Sequence, residues 1–222
     1  MVSVQNFRVF KNPQTLYKTI AILGAGSLMV CLGSLPASAH HAFGGRTPTG
    51  VWEGFLDGLA HPVIGRDHLT FVIAAGLMAG LLRYGFALPL AFITAAIAGT
   101  GLHIMEVNLP FPELMIAASV LIFGGLLAFE KMLPPVVMIG LAAIAGIFHG
   151  YAYGETIIGA QMNPLVAYLL GFSVIQGAIA YGAYGLSKYW QMTVSQGALN
   201  LRFAGFLISG LGLAFTTSHL LG

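Results

Sequence analysis

His61-Pro62-Val63-Ile64-Gly65-Arg66-Asp67-His68 is the stretch that decides how this chain is to be read. It lies inside a long apolar run, yet it carries two imidazoles, a carboxylate and a guanidinium. An ionisable side chain in a bilayer core costs on the order of 3 kcal/mol or more. It persists there mainly where it pairs, lines a wet cavity or binds something. Pro62 lacks an N–H and clashes with the preceding turn, and Gly65 is a weak helix former, so a helix through this stretch is expected to break. Broken helices lining a cavity recur at the midplanes of transporters. On a straight helix His61 and His68 would lie about 10 Å apart along the axis, too far for one ion. Either the break folds the two imidazoles together or they serve successive sites.

A second stretch has the same character: Phe148-His149-Gly150-Tyr151-Ala152-Tyr153-Gly154-Glu155, at the end of another apolar run. Imidazole and carboxylate together are ligands for divalent transition metals. Movement of such a metal across a membrane is the first functional expectation.

Composition agrees with a membrane setting. Of 222 residues 57% are hydrophobic and only 7% charged, against about 25% charged in soluble domains. Three of the nine basic residues, Arg8, Lys11 and Lys18, precede an apolar run from Thr19 to Leu35. Ala37-Ser38-Ala39 follows Pro36 as a small-x-small cleavage site, so residues 1–39 read as a cleavable signal peptide. Cleavage would leave His40-His41 at the new terminus and remove Cys31, the only cysteine. The mature chain then has no thiolate, which argues against a copper(I) carrier. Beyond residue 39 the six remaining Lys and Arg face seven Asp and Glu, leaving no basic surface for nucleic acid. No nucleotide-binding fingerprint occurs.

The remainder, residues 40–222, reads as an all-α polytopic bundle of six spans: roughly 52–82, 86–104, 112–130, 134–152, 164–186 and 201–220, the first of them broken near Pro62–Gly65. With His40 outside, the inner loops hold Arg83, Lys131 and Lys188, which satisfies the positive-inside rule. Both mature termini are therefore expected outside, in a cytoplasmic membrane of bacterial type. A three-plus-three inverted arrangement would make the first and fourth spans equivalent, and these carry the two polar stretches.

Depth follows from this orientation. His103 and Glu106 sit near the outer end of the second span, and their i, i+3 spacing puts both on one helix face. Asp57 and His61 are i, i+4 partners in the first span, and Glu155 stands at the outer mouth. The candidate metal ligands are thus His61, Asp67, His68 and His149 at the centre, with Glu155, His103, Glu106, Asp57 and His40 nearer the outer surface. His219 reads as an ordinary interhelical hydrogen-bonding residue. Met105, Met115 and Met162 read as packing, and Glu130 as an interface residue.

The two stretches resemble the motifs of the HupE/UreJ family. The first family motif is His, five residues, Asp-His, here His61 to His68. The second is Phe-His-Gly-x-Ala-x-Gly-x-Glu; Phe148 to Gly154 match it, and Glu155 stands one place before the motif's Glu. The resemblance implies a nickel or cobalt permease serving hydrogenase, urease or cofactor assembly, with Ni2+ or Co2+ bound transiently as cargo and no catalytic cofactor. The spacing in the first motif favours this family over the related nickel–cobalt permeases, which use one residue fewer. Two other classes compete: a non-transporting accessory subunit that delivers metal, and an intramembrane metalloenzyme. No His-Glu-x-x-His and no nucleophile motif supports the enzyme. The expected partners are the metal and the lipid bilayer; the oligomeric state is open.

Overall fold

The computed structural model describes residues 46–221, and among these every regular element is helical. The signal-peptide reading and His40 lie outside the described residues. The apolar runs become α1 (Val51–Ile64), α2 (Arg66–Ala79), α3 (Ala87–Ile104), α4 (Pro112–Ala128), α5 (Pro135–Gly154), α6 (Met162–Thr193) and α7 (Gly197–Leu221), with one 3-10 turn, Glu155–Ile157, extending α5.

Four of these segments are long and apolar enough to cross a membrane: α3, α5 with its 3-10 extension, α6 and α7. The apolar α4 has 17 residues, close to the shortest length that spans a hydrocarbon core. At 14 residues each, α1 and α2 are individually too short and together long enough. Prolines at the first helical position open α4 and α5, where the missing N–H costs nothing. The start of α1 is closed by Glu53, whose Oε2 accepts from both the backbone N–H and the hydroxyl of Thr49 at 3.0 Å.

The helix break falls at Gly65, which leaves helical geometry with φ −68° and ψ 99°. Pro62 does not itself end α1, which continues to Ile64. The bond Pro62 cannot make is lost near the end of α1, where little helix remains to disrupt. Gly65 keeps both its backbone hydrogen bonds: its N–H donates to His61 at 3.0 Å, and its carbonyl accepts from Leu69 at 2.8 Å. Its φ is open to any residue, so the need for glycine is spatial. A Cβ there would run into the imidazole of His68.

Small residues set the helix pairing. Gly146, Gly150 and Gly154 of α5 lie against Phe92, Ala96 and His103 of α3, so these two helices run parallel. Gly54 and Gly58 of α1 lie against Pro164 and Tyr168 of α6; Gly76 of α2 and the adjoining Gly80 meet Ala180 and Ser187. Both halves of the broken segment thus run parallel to α6. In contrast, Leu121, Gly124 and Ala128 of α4 meet Gly212, Ser209 and Gly205 of α7, an antiparallel pair. Glycine removes the side chain that would keep such backbones apart. Exchanging the first three apolar segments (α1–α2, α3, α4) with the last three (α5, α6, α7) turns the α3–α5 pair into the pair of α6 with α1–α2. The same exchange leaves the α4–α7 pair in place.

Candidate metal site

The break at Gly65 brings the two imidazoles of the first motif together, with ring centroids 5.8 Å apart. Helix α5 adds the third. His149 is fully buried, and its Nδ1 lies 2.8 Å from Nδ1 of His68. Tyr153, one turn along α5, closes the group, 5.1 Å from His61 and 4.7 Å from His68 between ring centroids. A buried hydrogen-bond network fixes this end of α5. Tyr168 of α6 donates to the Tyr153 carbonyl at 2.8 Å, with Thr156 2.9 Å from the Tyr168 hydroxyl. Thr100 of α3 donates to the Gly150 carbonyl at 2.8 Å.

Ser119 of α4 has one hydroxyl proton and stands 2.6 Å from the Ile116 carbonyl and 3.1 Å from Nε2 of His149. With that proton donated to Ile116, the Ser119 oxygen accepts from Nε2 of His149. Nδ1 of His149 is then the acceptor in the His68 contact, and Nδ1 of His68 the donor. Two nitrogens on one metal at about 2.0–2.1 Å each stand roughly 3 Å apart. The spacing present is close to that, so a metal could take the place of the shared proton if His68 moved its hydrogen to Nε2. Ser119 would hold His149 in the ligating tautomer, the usual part of an outer-shell hydrogen bond.

On the side towards the Arg83 and Lys131 end of the helices the group is sealed by aromatic rings. Phe71 and Phe92 lie 4.7 and 5.4 Å from the His149 ring, and Phe123 packs on Phe71 at 4.9 Å. Towards the other end, Asp57 sits one turn before His61 and is also buried.

The other expected residues are distributed differently. Asp67 adjoins the imidazole group at His68. Its Oδ1 accepts the backbone N–H of His68 at 2.8 Å, and its carboxylate clusters with Glu113 and His219, with ligand atoms within 4.8 Å of one another. His219, read from the sequence as an interhelical hydrogen-bonding residue, lies in this mixed cluster with two carboxylates. His103 packs on Tyr151, 4.3 Å between centroids, beside Gly154. Glu106 does not share its helix face: α3 ends at Ile104, and Glu106 stands in the left-handed region with φ 58°. Val107 donates back to Leu102 at 3.0 Å, the closing bond of a helix C-cap that normally uses glycine at that position. Glu155 is exposed on the 3-10 turn. Glu130 faces Arg202 across α4 and α7, 3.9 Å apart and exposed. Sequence reasoning missed Ser119, Tyr153 and Glu113. Of these only Glu113 carries a charge that could have drawn attention.

The model of the HupE / UreJ protein family matches residues 28–215. Protein HupE of Rhizobium leguminosarum bv. viciae is 32% identical over 184 residues, covering 79% of this chain and 93% of that protein. No solved structure matches. The polar stretches around His61 and His149 fall within the matched region, and the chain belongs to the HupE/UreJ family.

Proposed function

We propose that the protein is a secondary transporter that takes up a divalent transition metal, nickel first and cobalt next, for metalloenzyme or cofactor assembly. The observation that carries this reading is the convergence of His61, His68 and His149, three buried imidazoles from two distant parts of the chain, in a largely apolar bundle. Membership of a family associated with nickel or cobalt uptake, or with hydrogenase and urease maturation, supports it. The ion is cargo, not a resident cofactor, and the protein is a carrier, not an enzyme.

Six crossings account for the helix directions. If successive segments alternate, the first and fifth run together, the second and fourth run together, and the third and sixth oppose, which is the pattern of the glycine contacts. The positive-inside rule then puts Arg83, Lys131 and Lys188 in the cytoplasm and both mature termini outside. The metal enters from the mouth marked by Glu106 and Glu155, sheds water, and reaches the imidazoles past Asp57. It leaves inward once the Phe71–Phe92–Phe123 seal parts. A divalent ion moving alone gains about 4.6 kcal/mol per 100 mV, twice the value for one elementary charge. No nucleotide is needed.

Metal uptake into sealed vesicles containing only this protein tests the proposal. Saturable, potential-stimulated entry of Ni2+ or Co2+ is the expected result. Vesicles no more permeable than protein-free ones would overturn it and leave metal delivery as an accessory subunit.

A further inference from the structure

We propose that Gln176 of α6 is the first ligand on the inward side of the imidazole group. Its carboxamide oxygen takes the ion from His68 and His149 when the phenylalanine seal parts, and then lets it go. This role rests on the transport reading and supplies the residue through which the ion is released.

Gln176 is fully buried, and neither its Oε1 nor its Nε2 has a hydrogen-bond partner among the described residues. It is the one described side chain that leaves two buried polar atoms unpaired. A carboxamide taken out of water without such bonds is unfavourable, and a glutamine within a membrane ordinarily bonds across to a neighbouring helix. The buried hydroxyls of Thr100, Ser119 and Thr156 each reach a backbone carbonyl. An apolar side chain of similar size would fill the same room without that penalty, so packing does not account for the amide.

Helical spacing sets its place. Tyr168, Phe172, Gln176 and Ala180 follow one another four residues apart, and all four are buried, so they form one stripe that α6 turns to the bundle. The first two pack on the imidazole group: Tyr168 lies 6.4 Å from His61, and Phe172 5.3 Å from Tyr153, between ring centroids. Ala180 meets Gly76 of α2. Counting back one turn in both of these parallel helices sets Gln176 level with Val72, the neighbour of Phe71. On its other flank Gly177 lies beside Ile93 of α3, the neighbour of Phe92. Gln176 thus stands one turn beyond Phe172 on the way to Lys188, at the depth of the aromatic seal.

The donor suits release. Imidazole is a good ligand for nickel, whereas carbonyl oxygen is preferred by harder ions such as magnesium and manganese. A conducting path must bind well enough to admit the ion and weakly enough to free it, and successive sites of falling strength do both. A neutral amide oxygen after two imidazoles is such a step, and the amide N–H groups can hold the water that rejoins the ion.

Gln176→Leu and Gln176→Asn in the full chain test the role by three measurements: Co2+ titration of the purified protein in detergent, its melting temperature, and Ni2+ or Co2+ uptake into vesicles. In Gln176→Leu the maximal uptake rate should fall about tenfold or more, with Co2+ affinity within about twofold and the melting temperature unchanged or raised. Gln176→Asn keeps the carboxamide but leaves a void, and should transport faster than Gln176→Leu while melting lower. A packing role predicts the reverse order of rates. Gln176→Leu vesicles that match active wild-type vesicles would overturn the exit role and leave transport standing. A joint loss of rate, Co2+ affinity and melting temperature in Gln176→Leu would overturn it too, by assigning the residue to the fold. Wild-type vesicles that admit no metal would overturn the transport reading, and the exit role with it.

Discussion

The two motifs deliver imidazoles to one place by opposite means. His149 rides on an unbroken helix, and Gly146 and Gly150 seat that helix against the backbone of α3, with Gly154 against the His103 side chain. Its position is set by close packing and its ring by Ser119. His61 and His68 flank a discontinuity, and their separation depends on the geometry of one residue, Gly65. A protein interior is nearly as dense as a molecular crystal, so a packed helix holds a side chain with little freedom. A break between two half-helices sets an angle, and here both halves are seated on α6 by Gly54, Gly58, Gly76 and Gly80. The imidazole of the continuous helix and the two imidazoles around the break are thus on different elements.

The largest effect should come from the continuous helix. His149→Ala removes the ligand that links α5 to the broken segment, and uptake should fall at least about 100-fold while the protein still inserts and purifies. The check is initial-rate uptake at limiting metal; near-normal rates would end the case for the buried imidazoles as the pathway. Gly65→Ala tests the broken segment. The added methyl should displace the His68 ring without removing any ligand. Uptake and Co2+ affinity are expected to fall about tenfold or more. If both survive while the chain melts at its normal temperature, the spacing of His61 and His68 does not matter to transport.

Ser119→Ala sharpens the contrast by leaving both motifs intact. Nε2 of His149 loses its acceptor, and the tautomer is no longer held. Metal affinity should weaken about tenfold, with a stability loss on the order of 1–3 kcal/mol from the unpaired buried group. Ser119→Thr, which keeps the hydroxyl, should restore affinity, and titration with Co2+ distinguishes the two. The smallest effect belongs to Pro62→Ala. Since α1 continues past Pro62 and breaks at Gly65, the substitution should leave uptake within about twofold and the break in place. A structure of the variant with α1 and α2 fused would assign the break to proline after all.

Much of this was legible in the sequence, because hydrophobic runs and helix breakers act locally. The six apolar stretches lie within a few residues of the observed helices, except that α6 continues to Thr193, where Gln191 donates to the carbonyl of Gly80 at 3.1 Å. The break was located to a few residues, because proline and glycine alter the backbone where they stand. Whether His61 and His68 met or stood apart could not be read, since it depends on the angle between two half-helices. His219 and Glu113 were not joined because their meeting depends on the register of α4 on α7, across a separation of more than a hundred residues. Glu106 was misplaced by assuming one more turn of helix. The left-handed conformation that ends α3 is common for glycine and rare for glutamate, so nothing in the residue type announced it. Ser119 looked like any small residue in an apolar helix.

The glycine contacts have a mechanical consequence. Helices whose backbones touch cannot slide without separating, so the bundle consists of three stiff ribs: α1 and α2 with α6, α3 with α5, and α4 with α7. His61 and His68 belong to the first rib, His149 to the second, and Ser119 to the third. An ion held by His68 and His149 is then a strut between two ribs. A relative displacement of about 1 Å stretches a bond of about 2.0–2.1 Å beyond its useful length. Grip and release need no rearrangement inside any rib, only a small shear at the seam where the three meet.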